Sequence, residues 1–311
     1  MNLPRYTVIV PMRHLSESEP VLRSLRETLP PGNAVEILVA EGSHPARQRD
    51  AALEQAQGEI IVFLDNDCTV PANYWTQLET AFARPEVDVV GGPALLRSNA
   101  TSLEQVFHAL LTHPLIVGPV AARYAPRGAF RATTQAEVIL CNLAVRRALF
   151  EGIGVFSTQL YPNEENEWLD RAQEIGAGLF YDPALQVARP QRATFREMGT
   201  MLIRYGIGRT RQFRVSSWNL TVHQLLPFFL LFGVSAVIQL RLGLFIVELW
   251  AIIAAIVALT CDSRLHLPQR LLAGVLAPLI PLTYIMGQWL GWMTIFRAVP
   301  VAPAEIIVRR L

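Results

Sequence analysis

Apolar residues follow two rhythms along the first part of the chain: short unbroken runs and stripes at helical spacing. Tyr6-Thr7-Val8-Ile9-Val10-Pro11 is a run that predicts a first strand ending at Pro11. Ser16 to Thr28 has helical spacing, with Val21, Leu22, Leu25 and then Leu29 as the apolar side. Val35 to Ala40 predicts a second strand, closed by Glu41-Gly42-Ser43. Pro45 opens a helix through about Gln57, whose buried side is Ala51, Ala52, Leu53 and Ala56, and Gly58 is placed to stop it. Glu59-Ile60-Ile61-Val62-Phe63-Leu64 is then an apolar run of the kind found in fully buried strands. This β-α-β-α-β alternation predicts a parallel, Rossmann-like sheet. No GxGxxG follows the first strand, which argues against a dinucleotide cofactor.

Further along, Pro71 to Phe82 reads as a helix and Val87 to Pro93 as a strand and turn. Leu103, Phe107, Leu110 and Leu111 give an amphipathic helix, beside the sheet or on a membrane surface, with ordinary core packing the favoured reading. Val138-Ile139-Leu140-Cys141-Asn142 reads as a further strand, followed by Arg146, Arg147 and a short helix. Pro162 ahead of Glu164, Glu165 and Glu167 marks a helix start, where the dipole favours anions. Leu179-Phe180-Tyr181, with Val187, is a last short strand of this region.

The pattern then changes. Leu225–Leu240, Leu242–Cys261 and Leu271–Met293 are long apolar runs. The second and third reach the ~20 residues a membrane span needs, the first is marginal, and Pro278 and Pro281 would kink the third or make it re-entrant. The organisation expected is a globular domain over residues 1–220, a membrane region over 221–296 with about three apolar segments, and a short tail over 297–311. Arg264, His266 and Arg270 between the second and third runs suggest a cytosolic loop, with Arg241 on the far side.

Composition narrows the function. A net charge of +1 argues against a general nucleic-acid binder. All 27 basic residues are arginine. Cys68, Cys141 and Cys261 form no CxxC and give neither a disulfide framework nor a thiolate zinc site. The stretch Met1 to Tyr6 lacks a signal-peptide layout, so the globular domain is expected in the cytosol.

Candidate chemistry sits where the third strand ends. Asp65 and Asp67 follow it directly, and ligands of open α/β sheets bind outside the carboxyl ends of the strands. Two carboxylates there are costly without a cation, and a divalent metal carrying a phosphate is the natural partner. The alternative is a solvated Asp/Asn turn. Arg123, Arg127 and Arg131 face either phosphates or water. Arg192, Arg196, Arg204, Arg209, Arg211 and Arg214 precede the apolar region, as positive-inside flanking, as a phosphate or lipid-headgroup clamp, or as both.

Taken in order, several stretches resemble the inverting, GT-A-fold glycosyltransferases of family 2, and within them membrane-anchored bacterial enzymes similar to succinoglycan-type transferases. They are Val8-Ile9-Val10-Pro11; Arg47-Gln48-Arg49-Asp50 with Ala52; Gly58-Glu59 to Asp67; Gly91-Gly92-Pro93; Cys141-Asn142-Leu143 with Arg146-Arg147; Asn163-Glu164-Glu165 to Arg171; and Tyr205-Gly206-Ile207-Gly208-Arg209. The resemblance implies an α/β GT-A sheet with flanking helices, followed by C-terminal transmembrane helices. It implies that Pro11 and Glu41 border the nucleobase and ribose, and that Arg49, Asp65 and Asn142 belong to the substrate-binding stretches. Asp65-Asn66-Asp67 looks like the family's DxD element, with Asp67 and Asp65 toward Mg2+ or Mn2+ on the donor diphosphate. Glu165 stands at the position of the general base, with Glu164 as the substitute candidate.

The chain departs from the family's pattern in two places. The family's Asp-Asp-Gly-Ser appears as Ala40-Glu41-Gly42-Ser43, and the base position carries Glu rather than Asp. The function expected is sugar transfer from a nucleotide-diphosphate sugar, UDP-linked, to a polyprenyl-phosphate or other lipid-linked acceptor in envelope or exopolysaccharide synthesis. The place expected is the bacterial inner membrane, with the catalytic domain cytosolic. Two rivals are a non-catalytic membrane-anchored nucleotide-sugar-binding subunit and a haloacid-dehalogenase-type phosphatase. The latter normally needs a downstream Lys, and this chain has none.

Overall fold

The computed structural model describes residues 3–15, 19–30, 32, 34–160, 162–216, 222–239, 243–297 and 305–311. In chain order the elements begin with β1 (Tyr6–Met12), α1 (Pro20–Thr28), β2 (Val35–Glu41), α2 (Pro45–Leu53), β3 (Ile60–Leu64), α3 (Tyr74–Phe82), β4 (Val89–Gly91) and β5 (Ala94–Leu96). Next come α4 (Ser102–Leu111), α5 (Pro114–Val117), β6 (Arg131–Ala132), β7 (Asn142–Arg146), α6 (Ala148–Ile153), α7 (Glu164–Glu174), β8 (Leu179–Tyr181) and β9 (Val187–Arg189). The last are α8 (Phe195–Val215), α9 (Val222–Gln239), α10 (Gly243–Thr260), α11 (Leu267–Leu276), α12 (Leu279–Met293) and β10 (Ile307–Arg310). Ser16, where the first helix was expected to begin, and Arg241 lie outside the described residues.

The chain divides into two compact units: Met1–Arg97 with Pro119–Pro190 and Pro300–Leu311, and Ser98–Gly118 with Gln191–Val299. This differs from a boundary at residue 220. Helix α8 packs along α12 and so falls in the second unit, while β10, expected as a tail, is a strand of the first.

The first unit is built on a sheet of order β10-β2-β1-β3-β7-β4-β8-β6. Strands β1, β2 and β3 are parallel neighbours. Strand β7 runs against β3 and β4, and β4 is parallel to β8. Five of the eight strands (β2, β1, β3, β4 and β8) therefore point the same way, with β10, β7 and β6 opposed. The side chains of β1 alternate between two layers. Val8 and Val10 join Leu22, Leu25 and Leu78 on the α1/α3 face, while Ile9 joins Ala52, Phe63 and Trp168 on the α2/α7 face. A period of two on a strand buried on both sides gives this arrangement. Each fully buried Val, Leu, Ile or Phe contributes about 1.5–3 kcal/mol.

Two local expectations shift. Strand β7 begins at Asn142, so the apolar residues 138–141 precede the strand instead of forming it. Gly58 is not a helix cap, because α2 already ends at Leu53. Its role is close approach: a Cβ there would lie 2.5 Å from the Thr7 backbone nitrogen, and the Gly58 N–H donates to Thr7 Oγ1 at 2.8 Å.

In the second unit, α4 is the expected amphipathic helix. It opens on a capping box of Thr101 and Glu104, and its Phe107 meets Phe195 edge-on at 5.4 Å. Helices α8 and α12 cross where Gly206, Gly287 and Gly291 let the backbones approach, and Cβ atoms there would meet Tyr284 O at 2.2 Å, Ile203 O at 2.4 Å and Thr210 Cβ at 2.7 Å. Arg270 lies within α11 and donates to Ala258 O and Leu259 O at 2.9 and 2.8 Å, satisfying carbonyls at the end of α10. Among the described residues, one helical stretch, Leu267–Met293, is long and apolar enough to cross a membrane, with mean hydropathy 1.6. The apolar segments Leu225–Val237 and Phe245–Thr260 are shorter.

Candidate active site

The carboxyl ends of the parallel strands meet on one edge of the sheet of the first unit, Pro11 lying opposite Ala40 and Met12 opposite Glu41. Asp65 and Asp67 leave β3 at the same edge, about one-third exposed each, with side-chain exposures of 27% and 32%. The sequence brings Arg49 here from α2, on a turn otherwise lined by Ala46 and Ala52, and it is almost fully buried. Its Nη2 donates to Asp65 Oδ1 at 3.0 Å and its Nη1 to Glu164 Oε1 at 3.1 Å. One guanidinium therefore joins the DxD loop to the start of α7.

The start of α7 is unusual. Asn163, its N-cap, is left-handed at φ 94°, the only non-glycine with positive φ among the described residues. A polar residue is tolerated there at a cost, and such strain gathers at functional sites. Asn163 Oδ1 accepts from Asn166 Nδ2 at 2.9 Å, and Asn166 Oδ1 accepts from Arg123 Nη2 at 2.6 Å. Arg123 also donates to Ala136 O and Gln135 O. It is a buried brace, neither a phosphate ligand nor a solvated charge. Arg131 is likewise occupied, with Glu137 and Arg127 O.

The two glutamates differ. Glu164 is 2% exposed, and its Oε2 has no hydrogen-bond partner among the described residues. Burial, then the charge of Glu165, push its pKa up to about 8 against the opposing pull of Arg49. Glu165 is 5% exposed. Arg49 thus holds Glu164 at the start of α7, and Glu165 is the next residue along the helix.

Arg189 was invisible to the sequence pattern. It lies 122 residues from Asp67 at the end of a three-residue strand, with no periodic signal. Its Nη1 is 3.3 Å from Asp65 Oδ2 and its Nη2 is 3.1 Å from Asp67 Oδ2. Among the described residues no third His, Cys, Asp or Glu joins the pair as a metal-holding group. The pair supplies two carboxylates, and Mg2+-type ions are commonly held by one or two carboxylates plus substrate phosphates. The donor set fits a cation that arrives with a diphosphate.

The other expected site residues are placed as follows. Glu41 accepts from Leu15 N at 2.9 Å and pairs with Arg309 of β10, and both hold its carboxyl below the usual range. Asn142 is fully buried. Its amide accepts from Tyr74 Oη at 3.0 Å and donates to Leu185 O at 2.7 Å, so it clips the core together and does not face a ligand. Arg146 and Arg147 hold backbone carbonyls at the opposite end of β3, those of Val87 and Gly58 among them. In the second unit, Arg209 donates to Gln212 at 3.2 Å. Burial lowers Arg211, and its Nε has no hydrogen-bond partner among the described residues. Residues two apart on a helix point roughly 200° from one another, so Arg209 and Arg211 do not form a single clamp on α8.

A family model described as glycosyl transferase family 2 matches residues 16–151, somewhat less than half of the chain. The glycosyltransferase AglE of Haloferax volcanii is 27% identical over 185 residues, which are 56% of this chain and 54% of that protein. The chain thus spans about half the length of this curated relative. Among solved structures, the mannosyltransferase PcManGT from Pyrobaculum calidifontis, in complex with GDP-Man and Mn2+, superimposes with a TM-score of 0.59 at 18% identity, over 93% of this chain and 87% of that one. S. aureus TarS 1-349 superimposes with a TM-score of 0.46 at 15% identity, over 93% and 90% of the two chains. The fold is a GT-A-like α/β fold, and the family match with its relatives supports a glycosyltransferase.

Proposed function

We propose that the protein is an inverting glycosyltransferase that moves a sugar from a nucleotide-diphosphate donor to a lipid-linked acceptor. The observation that carries this reading is the cluster in which Arg49 ties Asp65 to the helix start bearing Glu164 and Glu165. Asp65 and Asp67 would hold Mg2+ or Mn2+ on the donor diphosphate. The cation supplies positive charge to the leaving nucleoside diphosphate. Glu165 takes the proton of the acceptor hydroxyl as it attacks the anomeric carbon. Glu164, held by Arg49, fixes the first turn of α7 and adds no basicity while protonated. The structural relative's complex with GDP-Man and Mn2+ supports a donor of this class.

We place the protein at a bacterial inner membrane with the first unit cytosolic; exposed apolar side chains in the second unit support membrane residence, the first part of that reading. Phe229, Phe232, Val247, Leu259, Met293 and Phe296 are all more than half exposed, which a water-soluble surface rarely sustains in such a group. A polyprenyl-type acceptor would keep its chain in the bilayer and bring its phosphate to the arginines of α8. Of these, Arg204 and Arg211 are seven residues apart and share a face.

The test is a panel of UDP- and GDP-sugars with purified membranes, read as released nucleoside diphosphate, in the wild type and in Asp67→Ala. Sugar-dependent release that vanishes in the variant is expected. Release undiminished by the variant sinks the metal assignment, and no release with any donor favours the non-catalytic reading.

A further inference from the structure

The donor site already contains a cation. Arg189 reaches both carboxylates of the DxD loop, one through each terminal nitrogen. The two aspartates are not equally served. Asp65 also has Arg49 on its other oxygen at 3.0 Å. Arg189 is the only cation within salt-bridge distance of Asp67 among the described residues. The Arg189 side chain is 19% exposed, so it holds this position largely out of water.

Its backbone is pinned. Thr69 N donates to Ala188 O at 2.8 Å and Ala188 N to Thr69 O at 2.9 Å, tying the residue before Arg189 to the loop two residues past Asp67. On the other side, Arg97 N donates to Arg189 O at 3.1 Å, within the pairing of β5 with β9. Only the side chain is free to leave. When it does, it remains tethered within a side chain's length of the spot it vacated.

We propose that Arg189 is a resident counter-cation that makes divalent-metal binding depend on the nucleotide. This rests on the reading of Asp65 and Asp67 as the donor-metal pair. A bare divalent ion must displace the guanidinium from two carboxylates and gains, among the described residues, no third protein ligand of the His, Cys, Asp or Glu kind. An ion bearing a nucleoside diphosphate brings its own oxygens. It also offers the displaced guanidinium a phosphate to grip, with the two-pronged geometry arginine prefers. The same residue therefore opposes the bare ion and favours the ion–nucleotide pair. Reciprocity follows, since the nucleotide raises metal affinity by the factor by which metal raises nucleotide affinity.

The experiment uses the full chain and measures Mn2+ binding by the loss of the free-ion electron-spin-resonance signal, alone and with UDP or GDP. In the wild type, Mn2+ alone should bind weakly and nucleoside diphosphate should tighten it. Removing a positive charge from beside two carboxylates changes cation affinity by about tenfold or more. Arg189→Gln should therefore bind Mn2+ alone at least about tenfold more tightly and bind nucleoside diphosphate with Mn2+ more weakly, so the coupling collapses. Arg189→Lys keeps one charge without the fork and should fall between. Mn2+ affinity in a folded Arg189→Gln that equals or falls below the wild type overturns the proposal. So does a wild type that binds nucleoside diphosphate yet binds Mn2+ equally well with and without it, a result that needs no variant to fold. The transferase reading fails separately, through failure of the wild type to bind any nucleoside diphosphate with Mn2+. The arm with Mn2+ alone still reads the opposition by Arg189 in that case.

Discussion

Glu164 and Glu165 are adjacent in sequence and opposite in circumstance, and this sets the sharpest expectation at the scale of single residues. Glu165→Gln should lower kcat by about 10²–10⁴-fold with nucleotide affinity kept. Glu164 titrates near 8, so a Glu164 base would make kcat climb with pH up to about 8. A kcat limb there that disappears in Glu164→Gln would reverse the two roles. Asp50, on α2 beside Arg49, gives a stability test. Burial raises its carboxyl to about 7 while Phe156 N donates to it at 3.3 Å. A carboxyl with a raised folded pKa contributes fully below its ordinary value, and that contribution drains away as pH rises through about 7. Asp50→Asn keeps the acceptor without the charge. It should match the wild type near pH 4 and melt on the order of 2–4 °C higher at pH 8. Equal melting temperatures at both pH values would rule out a buried charge at Asp50. The aspartates were legible because they follow an apolar run directly. Arg189, Arg123 and the clip role of Asn142 were not, because each depends on partners tens of residues away.

At the scale of elements, the glycines of the α8–α12 crossing make a paired experiment. Gly206→Val puts carbon where Tyr284 O stands 2.2 Å from an ideal Cβ, and Gly199 on the same helix has nothing within 4 Å. Overpacking of this kind costs about 1–3 kcal/mol or more. Gly199→Ala should be neutral or stabilising by about 0.5–1 kcal/mol. Limited proteolysis of the second unit should therefore accelerate in the first variant and not in the second, and equal rates would mean the crossing tolerates separation. The same contrast explains what could be read beforehand. Strand β3 is an uninterrupted apolar run and β1 and β2 are mostly apolar, each bounded by turn residues, so sequence alone placed them. Residues 138–141 are as apolar as a strand, yet the ladder begins at Asn142, because the register opposite β3 pairs Asn142 with Leu64. The helical character of residues 195–215 hid beneath six charged residues and three glycines, which interrupt the apolar stripe.

At the scale of the whole molecule, strand β10 carries a consequence for topology. Arg310 and Ile307 pair with Leu38 and Glu41, and Arg309 and Arg310 hold Glu41 and Glu36. Ile307–Arg310 are therefore part of the sheet that begins the chain. A membrane is a surface with two sides, and a segment that leaves one side and rejoins a partner there has crossed an even number of times. Residues 191–299 leave the first unit and β10 rejoins it, so three complete crossings by the three apolar runs are incompatible with this sheet. Were the second unit in a membrane, zero or two complete crossings would fit, and any other apolar segment would lie along the interface or dip in and return. A single-cysteine variant at residue 311 in a background without the native cysteines should be labelled from the same side as one at residue 23 on α1. Labelling from opposite faces would mean that β10 does not pair in the membrane-bound protein. In a membrane, parity would limit the spans of this chain more tightly than hydropathy does.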